Sequence, residues 1–369
     1  MYLTPLYTRI MSLLNSVAKL DIHSEIDRST WLVTGGAGFL GLHMCRLLLQ
    51  KKQTVISYDT QSIPSSENLS QVEQVIGDIR DQKKLASALK GVRYVVHCAA
   101  ALALEKPEEI DSVNAEGTRI VLEEAAKAGA KRFVYIGTTA VYGMPKFHPI
   151  YEDAPLNPMG HYGIAKAKAE KYCLTANGIE SVLIRPKSFI GTGRLGIFQI
   201  LCDWIESGKR IYLFGDGNNR FQLLEVRDLC SAIFLAMLNG HPGQIYNIGS
   251  KHFGTVNEDI EALLSEAGTG SKAVHLPAKP LKKILRFLEF LKISPIYRWV
   301  YDTADQDSFI SIEKAEKELG WSPKYSNKEA LISTYNWYLT EGKIMAQQTG
   351  TSHRVAWKQG VLKVVKAFS

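Results

Sequence analysis

Five cysteines are all that 369 residues contain: Cys45, Cys98, Cys173, Cys202 and Cys230, each alone in an apolar segment. With no C-x-x-C pair, neither a disulfide framework nor a thiolate metal site is expected to organise the fold. Buried thiols in a reducing cytoplasm fit better, and no metal is expected. No apolar run reaches the roughly 20 residues that a membrane span needs. Arg9, Asn15 and Lys19 interrupt the N-terminus, and no small-residue cleavage site follows, so a signal peptide is not expected. Zinc-finger, RNP and Lys/Arg-block patterns are missing, so the formal charge of +7 does not point to nucleic acid. Internal repeats and low-complexity tracts are missing too. What remains is ordinary globular composition, 46% hydrophobic and 22% charged, long enough for one large domain or two.

The densest signal is WLVTGGAGFLG, Trp31 to Gly41. Trp31, Leu32 and Val33 read as the end of a buried strand. Gly36-Ala37-Gly38-Phe39-Leu40-Gly41 has the G-x-G-x-x-G spacing, with Gly35 before it, and residues 40–49 follow as an apolar helix. Strand, glycine turn and helix together form the context of a dinucleotide fingerprint. Glycines allow a tight turn and close approach of a pyrophosphate, and the helix N-terminus adds free N–H groups and a positive dipole end. Residues 54–58 read as a second strand, and Asp59 ends it. A carboxylate there can accept the ribose hydroxyls of an adenosine and would repel a 2′-phosphate. No Arg follows to hold such a phosphate, so NAD is expected rather than NADP. The alternative is that Asp59 only caps a turn.

Further strands are expected at 72–76, 92–97, 131–136 and 180–185, with helices at 82–90, 111–129 and 162–177. This alternation means an α/β fold with a parallel, doubly wound sheet, whose ligands sit beyond the C-terminal ends of its strands. The strand tips fit that position. Asp78 and Ile79 suit an adenine edge, Ala99 and Ala100 are small enough for close approach, and Asp81 reads as an N-cap. Past Arg185-Pro186 the rhythm changes to helices with isolated short strands. The chain therefore divides into an N-terminal extension (1–29), a nucleotide-binding domain (30–187), a smaller substrate-binding part (188–345) and a basic tail (346–369).

Tyr162-Gly163-Ile164-Ala165-Lys166 places a phenol and an ammonium on one helix face. The cation stabilises the phenolate, which can take a proton from a substrate hydroxyl near neutral pH. Thr138, at the preceding strand's tip, offers a hydroxyl to orient the substrate oxygen.

Taken together, TGGAGFLG, GDIRD, HCAA, VNAEGT, TTAVYG, YGIAK, Arg185-Pro186 and LGWSPK resemble, in order, the NAD-dependent epimerase/dehydratase family of extended short-chain dehydrogenases/reductases. The resemblance covers about residues 30 to 340. It implies a Rossmann-type sheet and a catalytic set of Thr138, Tyr162 and Lys166. It also implies cofactor contacts from Gly35, Gly38, Phe39, Leu40, Gly41, Asp59, Asp78, Ile79, Ala99 and Ala100 together with Tyr162 and Lys166, a small-molecule substrate and a homodimer. Related dehydratases place Asp-Glu after the catalytic Thr; here Thr139 and Ala140 stand there, so dehydration is not expected. Nucleotide-sugar binders commonly carry Asn where Ser188 stands, and Arg220 is one position out of the register of a diphosphate-binding Arg. Two readings follow: epimerisation of a nucleotide sugar through a transient keto intermediate, or net oxidation or reduction of an apolar, sterol-like or lipid-linked hydroxy compound.

Two other stretches carry helical periodicity. Leu6, Ile10, Leu13, Leu14 and Val17 predict an amphipathic helix before the first strand. Leu281, Ile284, Leu285, Leu288 and Leu291 share a face, with Lys282, Lys283, Arg286 and Lys292 largely off it. The tail repeats the pattern, with Val355, Trp357, Leu362, Val365 and Phe368 among Arg354, Lys358, Lys363 and Lys366. Either the 281–293 helix covers the substrate pocket, or these basic stretches touch the membrane's inner face.

Overall fold

A computed structural model describes residues 28–290, 298–345 and 366 of the chain. The expected N-terminal helix, the last residues of the 281–293 helix and the tail apart from Lys366 lie outside the described residues. Strand β1 (Thr30–Thr34) is the centre of construction. Its Trp31, Leu32 and Val33 are all fully buried. Successive side chains point to opposite faces. Trp31 and Val33 enter the core layer with Met44 and Leu48, while Leu32 enters the other layer with Val95 and Phe133. A strand buried on both faces reads as a continuous apolar run, which is the sign of a parallel sheet.

The strands in chain order are β2 (Thr54–Asp59), β3 (Glu73–Ile76), β4 (Tyr94–His97), β5 (Arg132–Ile136), β6 (Glu180–Pro186), β7 (Phe189–Ile190), β8 (Ile211–Phe214), β9 (Leu224–Glu225), β10 (Ile245–Ile248) and β11 (Ala273–Leu276). Seven of them form one parallel sheet in the order β10-β6-β5-β4-β1-β2-β3. The order reverses between β1 and β4, which opens a crevice above their C-terminal ends. Helices α1 (Phe39–Gln50), α2 (Gln82–Ala88), α3 (107–127) and α4 (Gly160–Leu174) connect the strands of the first half. Next come α5 (Ile197–Glu206), α6 (Val226–Asn239), α7 (Val256–Ala267), α8 (Ala278–Phe290), α9 (Arg298–Thr303), α10 (Glu313–Leu319) and α11 (Asn327–Trp337).

Asp81 caps α2, its side chain accepting the Lys84 N–H, as read from sequence. Helix α3 starts four residues earlier than expected, because Pro107 occupies its first turn and needs no N–H partner there. Its middle, Ser112–Gly117, widens into a π turn. Such bulges concentrate at functional positions. Short β7 and β9 pair with each other, as do β8 and β11. None of β7, β9 and β11 carries a local strand signal; they form where distant segments meet. A third cluster, including Ile205, Ile211, Leu263 and Tyr335, packs this C-terminal part. The part is not detached from the rest, since β10 extends the main sheet beside β6.

Candidate active site

The turn after β1 is shaped by glycine. Gly35 has φ +69°, and a Cβ there would lie 2.8 Å from the Ala99 nitrogen. At Gly41 a Cβ would lie 2.0 Å from the Gly35 carbonyl oxygen. Any side chain would therefore spread the turn from α1 and from the β4 loop. Gly38 caps α1 with no side-chain acceptor, and no acid occupies the first turn. The leading N–H groups of α1 thus keep their affinity for an anion. Phe39 and Leu40 bury their side chains, so what they present to a pyrophosphate is backbone. A cradle that only hydrogen fills, opening onto a bare helix N-terminus, fits a dinucleotide.

At the tip of β2, Asp59 accepts the Ala37 N–H through Oδ2 and the Gln61 N–H through Oδ1, both at 3.0 Å. It therefore ties the glycine turn to β2, and each oxygen keeps capacity for a hydroxyl donor. Asp78 is engaged differently. Arg80 grips both its oxygens, at 2.9 and 2.6 Å, and holds its carboxyl below the usual range. Its side chain fixes the turn, and Tyr58 donates to its carbonyl. Ile79 is buried against Gly117 of the π turn, where a Cβ would lie 2.6 Å from Ile79 Cδ1.

Beyond β4 the structure reveals a chain of hydrogen bonds. The Ala99 N–H donates to Thr34 Oγ1 (3.3 Å), which lies 2.7 Å from His97 Nδ1. His97 Nε2 lies 3.0 Å from Thr118 Oγ1, which donates to the Asn114 carbonyl (2.7 Å). One proton arrangement satisfies every link: His97 neutral, with its hydrogen on Nε2. Burial, and then the charge of Lys166, push its imidazole down to about 3. Asn114 clamps the Ala101 backbone from both sides, at 2.7 and 3.0 Å. Half-buried Ala99 and exposed Ala100 are thereby held against the glycine turn.

The three expected catalytic residues come from adjoining elements. Thr138 follows β5, and its Oγ1 accepts the Ala140 N–H at 3.1 Å, leaving the hydroxyl hydrogen for another acceptor. Gly163 of α4 packs on that turn, its Cβ position 3.3 Å from the Ala140 carbonyl. Tyr162, the residue before it, is half buried and packs against the cluster of Ile110, Ala115 and Ala165. Lys166, one helical turn on, is buried and donates to the Ile136 carbonyl at 2.7 Å. Burial lowers its amine to about 8, against an opposing pull from Glu170.

Sequence reasoning passed over what holds α4 in place. Glu170 and Arg185 form a fully buried pair, with Nη2–Oε2 at 2.8 Å. Arg185 continues to Tyr142 Oη (2.8 Å), which donates to Asn247 Oδ1 (2.8 Å). Gly137 leaves room for Glu170, since a Cβ there would lie 2.8 Å from Oε1. The Arg185-Pro186 dipeptide was visible; its partners 15 to 43 residues away were not.

Past β6, Ser188 is half buried beside β7, and its carbonyl accepts the Leu224 N–H. Arg220 is exposed, its guanidinium stacked on Phe253 and Phe309 at 4.6 and 4.9 Å. The buried cation beside Ser188 is Lys187, which no motif had flagged.

Comparison with known proteins fits this geometry. The model of the NAD dependent epimerase/dehydratase family matches residues 31–249. The chain belongs to that family. Members are NAD-dependent enzymes of the extended short-chain dehydrogenase/reductase type, and NAD is the cofactor. The uncharacterised protein y4nG of Sinorhizobium fredii is 34% identical over 91% of this family member and 85% of its own length. A putative UDP-glucose 4-epimerase of Methanocaldococcus jannaschii is 30% identical over 83% of this chain and 97% of its own. The solved UDP-glucose 4-epimerase of Thermotoga maritima, with UDP-glucose, superposes with a TM-score of 0.71 at 27% identity, covering 84% and 98% of the two chains.

Proposed function

We propose that this family member epimerises a nucleotide sugar, with Thr138, Tyr162 and Lys166 as its catalytic set. What supports the reading is that α4, which carries Tyr162 one turn before a buried Lys166 anchored to Ile136, packs through Gly163 on the turn after Thr138. Thr138 orients the substrate hydroxyl, and Tyr162 removes its proton and later returns it. The Lys166 ammonium stabilises the phenolate in between. Bound NAD supplies the acceptor and donor of hydride at the same carbon. Thr139 and Ala140 offer no acid–base pair in the turn, which speaks against dehydration. The test is a screen of UDP- and dTDP-sugars with NAD, followed by NMR of the products and absorbance at 340 nm. An epimer without net NADH supports the reading. Stoichiometric NADH would instead favour a net dehydrogenase on a hydroxy compound.

We further propose a cytoplasmic homodimer with weak contact to the membrane's inner face. Ile164 (54% exposed) and Leu174 (43%) leave an apolar outer face on α4 for a second copy. Among the described residues no helix is long and apolar enough to cross a membrane. Among the described residues of the expected apolar face of α8, only Leu285 is buried; Ile284, Phe287 and Phe290 are 56%, 62% and 81% exposed. Lys279, Lys283 and Arg286 are exposed around them. Apolar side chains ringed by cations suit an anionic bilayer surface. Light scattering tests the dimer, and sedimentation with anionic vesicles at low salt tests the contact.

A further inference from the structure

Among the described residues two lysine side chains are buried, Lys166 and Lys187. Lys166 has the Ile136 carbonyl and the nearby charge of Glu170. Lys187 has no such compensation. Its Nζ donates to Ser308 Oγ at 2.6 Å and lies 5.0 Å from the centre of the Phe221 ring. No carboxylate among the described residues offsets its burial, which alone pushes the amine down to about 7. The other titratable groups here are His148, half buried and lowered by burial, and Asp307, which bears on His148 and accepts the Arg220 N–H.

A buried ammonium without a counter-charge is costly, and a methionine would fill the same space at no electrostatic cost. The position is not deep in a core. Lys187 directly follows Pro186, the last residue of β6, at the ligand end of the sheet. His148 lies on the loop that leaves the Thr138 turn. Phe221, Ser308 and His148 are only half buried, so the amine sits one side chain below the surface. Ser308 Oγ has accepted a hydrogen from Lys187 and can donate its own outward.

We propose that Lys187 and Ser308 form an oxyanion subsite that receives the charged group of the substrate. This rests on the nucleotide-sugar reading and adds the group that recognises the charge. Two substrate groups share that chemistry, the diphosphate and a uronate carboxylate. Arg220, stacked outside on Phe253 and Phe309, is then a rim residue.

The test uses the full-length, NAD-loaded protein and calorimetry at pH 8, in two buffers of different ionisation enthalpy. The probes are UDP-glucose, UDP-glucuronate and inorganic pyrophosphate. Wild type should take up a proton on binding UDP-glucuronate, and on binding UDP-glucose as well where the diphosphate is the group received, because the arriving anion restores the charge of Lys187. Lys187→Met should lose this uptake and bind roughly ten- to a hundredfold more weakly, the range of a charged hydrogen bond. Lys187→Arg should recover part of the affinity. Equal losses for both sugars assign the diphosphate; a loss confined to UDP-glucuronate assigns the carboxylate. If wild type binds pyrophosphate through Lys187 but neither sugar, the nucleotide-sugar reading falls and the subsite stands. If Lys187→Met binds every probe as wild type does, or wild type binds none of them, the subsite is overturned. NAD affinity and thermal midpoint, expected unchanged or higher in Lys187→Met, exclude a folding defect.

Discussion

The nucleotide cradle and the proposed substrate side meet the same demand, polar groups held at the ends of parallel strands, with opposite materials. The cradle is backbone: Gly35 to Gly41 turn the chain, leave the first N–H groups of α1 open and need one carboxylate, Asp59, to lock the turn. The substrate side is built from side chains brought together over long distances. Lys187 meets Ser308 across 121 residues, and the Arg220 N–H meets Asp307 across 87. A local device tolerates almost no substitution because backbone blocks each added atom. A long-range device can change one partner at a time. Within one fold the cofactor end is therefore fixed by backbone clearances, while the proposed substrate end is fixed by pairs of side chains.

Breaking each side separately sharpens this contrast. Tyr162→Phe keeps the ring and removes the proton acceptor; turnover should fall roughly 10²–10⁴-fold with NAD affinity retained, read by steady-state kinetics and fluorescence titration. Near-normal turnover would remove Tyr162 from the mechanism. Glu170→Ala strands the Arg185 guanidinium in the interior and should cost about 3–5 kcal/mol in urea unfolding, although it touches no ligand. A loss below 1 kcal/mol would show that the pair does not anchor α4. Asp59→Ala should weaken NAD about tenfold and narrow the preference over NADP, as expected from a lost charged hydrogen bond.

The buried lysines allow a pH test. Lys187 sits near 7 in the folded chain and at its ordinary 10.5 in the unfolded one. The unfolded state therefore holds more protons between those values, and the penalty for burying the charge is full below pH 7 and fades toward pH 10.5. Lys187→Met should accordingly exceed wild type in stability most at pH 6 and least near pH 10, measured by urea unfolding at each pH. A pH-independent difference would contradict the assignment. The smallest change is expected from Phe287→Ser with Phe290→Ser. Exposed positions should shift stability by no more than about 0.5 kcal/mol, while vesicle sedimentation, if α8 is the contact, disappears.

Six strands of the main sheet and the Tyr162/Lys166 helix were legible because each is written in a short span: buried apolar runs, a glycine spacing, an i, i+4 pair; β10 read only as an isolated short strand, and the strand order had no local signal. The positions of Thr138 and Asp59 at strand tips followed from the same logic. Glu170, His97 and Lys187 were not legible, since each is a lone polar residue whose meaning lies in a partner from another element. Arg220 drew notice through a motif, yet a one-residue offset turns its guanidinium onto Phe253 and Phe309, while the ring of Phe221 meets Lys187. The apolar stripe of α8 was predicted as a single face. Its neighbour α9 covers only part of it, with Lys282 and Arg286 reaching Asp305 and Asp302.

The polar chain through Thr34, His97, Thr118 and Asn114 has a consequence for solvent exchange. Ala99 and Ala101 lie in a loop at the mouth of a crevice, where amide hydrogens ordinarily leave for deuterium within seconds to minutes. Here both amides end on side-chain oxygens, and the Thr34 oxygen that holds the Ala99 amide is itself fixed by an imidazole that Thr118 holds from behind. Before any nucleotide arrives, these two hydrogens should persist in deuterated water about as long as those of β4 itself.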